Sequence, residues 1–140
     1  MPTTKEISTE AALAFNQAHW PSHNRRQGID WQQTRHALGV FEGETCMGVA
    51  YFSMTGGMGF LEQIVVADGH TKQGYGSALL EAFEAQVAEL GGHVIQLETA
   101  ETQAPGFYER HGYTRIGTYP NGRFHLDWYL YRKEISRARP

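Results

Sequence analysis

The spacing of apolar positions switches between helix-like and strand-like several times along the chain, and each switch marks an element. In residues 8–19, Ala11, Leu13, Ala14, Phe15 and Ala18 fall close to helical spacing, and Ser8 with Glu6 and Glu10 nearby suits a helix start. Pro21 and Gly28 should interrupt that helix, and a second short one is expected over residues 30–35. Three strands follow, at residues 37–42, 46–53 and 60–66. They are separated by Glu-Gly-Glu and by Thr55-Gly-Gly-Met-Gly59, so they read as an antiparallel meander.

The clearest helical stripe is Leu79, Leu80, Phe83, Val87 and Leu90, within residues 74–90, with Glu81, Glu84 and Glu89 off it. Gly91 and Gly92 end it, and residues 93–99 read as a buried strand through Val94, Ile95 and Leu97. Strand, helix, strand implies a parallel, right-handed crossover. Pro105 opens a short helix to about Arg110, and residues 113–119 resume strand character. Asn121-Gly122 signals a hairpin into a last strand over residues 124–133, carrying Trp128, Tyr129, Leu130 and Tyr131. The expected order is two helices, three strands, helix, strand, helix, two strands.

At 140 residues without repeats or a linker, a single domain over 1–140 is expected. The 12 basic and 15 acidic residues give a net charge of −3 without long single-sign runs, which argues against nucleic acid as a partner. No apolar stretch approaches the roughly 20 residues that span a bilayer, and residues 1–10 lack a basic segment followed by an apolar one. No membrane partner and a cytoplasmic location are therefore expected. The single Cys46 precludes an internal disulfide and, lying in an apolar run, is expected to be a buried thiol. None of the seven histidines has a ligand spacing such as His-x-x-x-His, so no metal is expected.

The segment joining the strand ending at Val66 to the best helix carries Gly74 and Gly76 where the helix opens. A helix N-terminus presents unpaired N–H groups and a positive dipole end, and glycines let a phosphate approach. The turn therefore reads as a pyrophosphate cradle. It lacks the Gly-Lys-Ser/Thr of a P-loop, and Leu79 stands where a dinucleotide fingerprint needs its third glycine.

With Thr71-Lys72-Gln73-Gly74-Tyr75-Gly76 after a strand ending in valine, and Phe107-Tyr108-Glu109-Arg110-His111-Gly112-Tyr113 later, residues 37–133 resemble the GNAT acetyltransferases. The resemblance implies an α/β (α+β layered) fold whose mixed sheet of six to seven strands carries helices on both faces. It also implies acetyl-coenzyme A as co-substrate, and a primary amine of a small molecule or peptide as acceptor. The cofactor-binding residues it implies are Ile64, Val65 and Val66 on the strand and Thr71, Lys72, Gln73, Gly74, Tyr75, Gly76 and Ser77 at the turn. Thr71 replaces the usual Arg or Gln, and Glu101 replaces a frequent asparagine. Tyr108 is implied as general acid at the departing sulfur. Glu62, the acidic residue in the preceding strand, is the candidate base, because an attacking amine must shed a proton. Two other readings stay open: an inactive acyl-coenzyme A sensor, and an interaction protein using the aromatic residues 124–131. A homodimer is compatible with all of them.

Overall fold

The computed structural model describes residues 1–28 and 32–135. The chain divides into two compact units, Met1–Trp31 and Gln32–Pro140. The first contains α1 (Thr9–Gln27), capped by Ser8, whose hydroxyl accepts from the N–H of Ala11 at 3.1 Å. Pro21 does not end this helix as expected. The chain stays helical through it and stops at Gly28, whose φ of 68° is the left-handed conformation that glycine adopts without penalty.

The second unit contains β1 (Gln33–Glu42), β2 (Thr45–Thr55), β3 (Met58–Val66), α2 (Tyr75–Glu89), β4 (Val94–Ala100), α3 (Pro105–Arg110), β5 (Thr114–Asn121) and β6 (Leu126–Glu134). The short helix expected over residues 30–35 is therefore corrected. Asp30 and Trp31 lie outside the described residues, while Gln33, Thr34 and Arg35 pair with Thr55, Met54 and Ser53. Ladder hydrogen bonds to a neighbouring strand outweigh the weak helical preference of a six-residue stretch. The last strand begins at Leu126, two residues later than its aromatic run implies.

The six strands form one mixed sheet in the order β1-β2-β3-β4-β6-β5. The meander β1-β2-β3 is antiparallel, β3 and β4 are parallel, and β6 runs antiparallel between β4 and β5. The strand count is the lower of the two expected. α2 packs on β1, β2 and β3. Its stripe buries Leu79, Leu80, Phe83 and Val87 against Phe52, Leu61, Ile95 and Leu97, each side chain contributing roughly 1.5–3 kcal/mol. Leu90, expected on that stripe, follows the last helical residue and is 45% exposed.

Cys46 is also corrected. It pairs with Phe41 at the outer end of the β1–β2 hairpin, beside a register shift, and its side chain is exposed, with Sγ directed to the carbonyl of Gly48 at 3.4 Å. Among the described residues, no helix is long and apolar enough to cross a membrane.

Candidate functional site

The mouth of α2 is an uncapped helix end. Gly74 precedes it at φ 85°, and no side chain caps the helix. Intrahelical bonding starts with the N–H of Ala78, which donates to the carbonyl of Gly74 at 3.0 Å. The amides of Tyr75, Gly76 and Ser77 precede that first bond, so they lack intrahelical acceptors and carry the positive end of the helix dipole. A side chain on Gly74 would meet nothing within 4 Å, so its backbone conformation, not crowding, selects glycine there.

Side chains at the turn brace it. The Tyr75 hydroxyl donates to Glu42 Oε1 at 3.1 Å, tying the helix mouth to the end of β1. Partial desolvation, then this carboxylate, raises the Tyr75 phenol above its ordinary range. Gln73 Oε1 meets His70 Nδ1 at 3.1 Å. Thr71 and Lys72 are exposed, and Lys72 makes no ion pair among the described residues.

The sheet opens next to this turn. β3 and β4 pair only from Met58 with Val94 to Leu61 with Leu97, and then part. On the other edge of β3, Tyr51 pairs with Gln63 and Phe52 with Leu61, which leaves Glu62 as the extra residue of a β-bulge. A bulge twists its strand and re-aims a side chain. Here it falls at the position where β3 leaves β4.

A cavity of about 270 Å³ lies in the gap. Its walls are Leu61, Glu62, Gln63 and Ile64 of β3, Glu98 and Thr99 of β4, Gln103, Ala104 and Tyr108 in and before α3, and Trp128 of β6. Of the residues picked out in the sequence, Glu62, Ile64 and Tyr108 meet in this cavity. Val65 and Val66 continue β3 beyond it, and residues 71–77 form the turn that follows. Gln103 closes one end, its Oε1 accepting from the Ala100 N–H at 3.0 Å and the Thr99 hydroxyl at 3.3 Å.

Tyr108 is 8% exposed, yet no hydrogen-bond partner for its hydroxyl stands among the described residues. Its ring is held by aromatic contacts to Phe107 at 5.1 Å, Tyr113 at 5.8 Å and Tyr131 at 6.3 Å between centroids. Burial pushes its phenol up to about 12, because a phenolate would lose its hydration there. Phe107, on the next position of α3, reaches toward Gly76: a β-carbon there would lie 3.5 Å from the Phe107 ring. The aromatic pair therefore joins the two motifs, with one ring against the helix mouth and the other on the cavity wall.

Glu98 and Trp128 are among the wall residues that carry no assignment from the sequence, and they are bonded to each other. Glu98 Oε2 accepts from the Trp128 indole N–H at 3.0 Å. Partial desolvation, then Glu98, raises the Tyr119 phenol. The available signal was a lone carboxylate within the apolar strand Val94–Ala100, at its exposed position.

A family model described as the Acetyltransferase (GNAT) family matches residues 5–113. The uncharacterized N-acetyltransferase YjcF of Bacillus subtilis (strain 168) is 38% identical over 74 residues, which cover 53% of this chain and 52% of that protein. The matched segment thus spans about half the length of that relative. The fold is similar to the crystal structure of an acetyltransferase from Bacillus cereus ATCC 14579, with a TM-score of 0.80 at 22% identity over 95% of this chain and 98% of that one. It is also similar to an aminoglycoside 6′-N-acetyltransferase complexed with coenzyme A, with a TM-score of 0.65 at 20% identity over 89% of each chain. With the family model covering well over half of its length, and an uncapped helix mouth beside a parted β3–β4 ladder, the chain belongs to the GNAT family of acetyltransferases.

Proposed function

We propose that this chain transfers an acetyl group from acetyl-coenzyme A to a primary amine of a small molecule or peptide, by direct attack of the amine on the thioester. The observation that carries this reading is the largely buried Tyr108, with its hydroxyl unpartnered among the described residues, on the wall of a cavity that opens where β3 leaves β4, one short step from an uncapped helix mouth.

The residues fit the co-substrate. A diphosphate suits the amides of Tyr75, Gly76 and Ser77, reinforced by the unpaired Lys72 and by the Thr71 and Ser77 hydroxyls. The amide-rich arm of coenzyme A suits the edge of β3 at Ile64, Val65 and Val66, which has lost its β4 partner and can be extended by hydrogen bonds as in strand addition. The aminoglycoside enzyme of similar fold is bound to coenzyme A, which supports the same use here.

The chemistry follows from the cavity walls. A lysine-like amine titrates near ~10.4 and is mostly an ammonium at neutral pH, so it must lose a proton before attack. Glu62, freed by the bulge and lining the cavity, accepts that proton directly or through a water. As the N–C bond forms, charge on the carbonyl oxygen is met by a backbone N–H of residues 64–66. As the C–S bond breaks, Tyr108 offers its hydroxyl to the departing sulfur. A phenol at about 12 keeps its proton throughout the neutral range, so it is always in donor form.

The test is release of free thiol from acetyl-coenzyme A over a panel of amines, run beside a coenzyme A titration. Amine-dependent release is the expected result. Tight binding with no release under any amine would favour the sensor reading, to which Thr71 in place of Arg or Gln lends support, and would overturn the transferase.

A further inference from the structure

We propose that Glu98 anchors a second cationic group on the acceptor, so that this chain selects amines carrying another ammonium. The inference rests on the reading of the same cavity as the transfer site.

The walls of the cavity contain two carboxylates, Glu62 and Glu98, and no lysine, arginine or histidine. The two are matched in register. Leu61 and Leu97 are the last β3–β4 pair, and Glu62 and Glu98 follow them on their own strands, at the point of divergence. Neighbouring strands are about 4.8 Å apart before they part, so the carboxylates flank one opening.

Their environments differ. Glu62 is the bulged residue without a β2 partner. Glu98 is held by Trp128, whose indole N–H donates to Oε2 at 3.0 Å. A carboxylate offers about four acceptor positions, so this donor orients Glu98 and leaves capacity for a ligand. The Trp128 ring is itself part of the wall, and an indole face attracts a cation.

Charge accounting then separates two roles. The attacking amine must be neutral, so the proton taken toward Glu62 removes the only positive charge a monoamine brings. Glu98 keeps its charge throughout, at the exposed mouth of the site, with acceptor positions still open. A diamine brings a second ammonium that persists through the reaction and pairs with Glu98.

The test uses 1,3-diaminopropane, 1,4-diaminobutane and 1,5-diaminopentane, each against the monoamine of equal carbon number, with kcat/KM read from thiol release. Wild type is expected to favour at least one diamine over its monoamine by about fivefold, the scale of a solvent-exposed ion pair. Glu98→Gln keeps shape and an acceptor for Trp128 but loses the charge, and should bring that ratio close to one, mainly through KM. Glu98→Asp keeps the charge with one methylene less and should keep a preference, moved toward a longer diamine. Equal use of diamines and monoamines by wild type, or a ratio unchanged in Glu98→Gln, overturns the role of Glu98 and leaves the transferase standing. Thiol release with none of the six amines overturns the diamine selectivity, and the wider amine panel decides the transferase separately.

Discussion

Replacing Tyr108 with phenylalanine removes one oxygen, and the rate should fall while the stability holds. In the folded protein that oxygen is on a side chain 8% exposed and has no hydrogen-bond partner among the described residues. An unpaired buried hydroxyl costs roughly 1–3 kcal/mol. This hydroxyl opens onto the cavity instead of being sealed from water, so Tyr108→Phe should leave stability within about 0.5 kcal/mol and Tm within about 2 °C. The aromatic contacts to Phe107, Tyr113 and Tyr131 survive the change.

For the rate, a phenol at about 12 faces a departing thiolate whose conjugate acid lies near ~8.5 if it behaves like cysteine. Complete proton transfer would be uphill by about 5 kcal/mol, so Tyr108 acts mainly as a hydrogen-bond donor to developing charge. Its loss should lower kcat by about 10²-fold, the low end for general acid catalysis. Steady-state thiol release and a thermal melt on the same preparation measure both quantities. Wild-type turnover in the variant would refute the assignment. A fall in Tm of several degrees would show that the hydroxyl serves packing instead.

Gly74→Ala forces a side chain into φ 85° with no neighbour to clash with, so it should cost about 1 kcal/mol of stability and weaken coenzyme A by about tenfold or more in calorimetric titration. Glu84 receives both Lys133 Nζ at 2.9 Å and the Tyr113 hydroxyl at 2.9 Å in a half-buried network. Glu84→Ala should therefore cost about 2 kcal/mol by urea unfolding, with thiol release unchanged. Burial raises Tyr108, and burial followed by Glu84 raises Tyr113. Their stabilising contribution is complete below pH 10 and, for Tyr108, is lost as pH climbs toward about 12. Urea midpoints should fall across that window, and Tyr108→Phe should lessen the loss by up to about 3 kcal/mol.

The chemistry-bearing segments were legible because each carries a local signature. Gly74 at a helix mouth, the stripe Leu79, Leu80, Phe83 and Val87, and Pro105 at the start of α3 follow from backbone preference and periodicity alone, and they appear where expected. Misreadings arose where partners distant in sequence decide the outcome. Gln33–Arg35 became strand because Ser53–Thr55 offered a ladder. Cys46 became exposed because its hairpin ends beyond the core. Pro21 was read as a stop, although the left-handed Gly28 is what ends α1.

The candidate site shows the same division. Glu62 could be chosen from its strand, but its place in a bulge depends on the register of Tyr51 and Phe52. Glu98 was passed over because its relation to Glu62 exists only once Leu61 is set beside Leu97, and its fixation needs Trp128, 30 residues away. Parallel register is set by the packing of α2 and the sheet together, and no short segment records it.

The most direct measurement is a crystal structure of the protein with coenzyme A bound. The account predicts diphosphate oxygens within about 3 Å of the main-chain nitrogens of Tyr75, Gly76 and Ser77, and the thiol beside the Tyr108 hydroxyl in the gap between β3 and β4. A coenzyme lodged elsewhere, or a helix mouth without phosphate at saturating coenzyme, would contradict it.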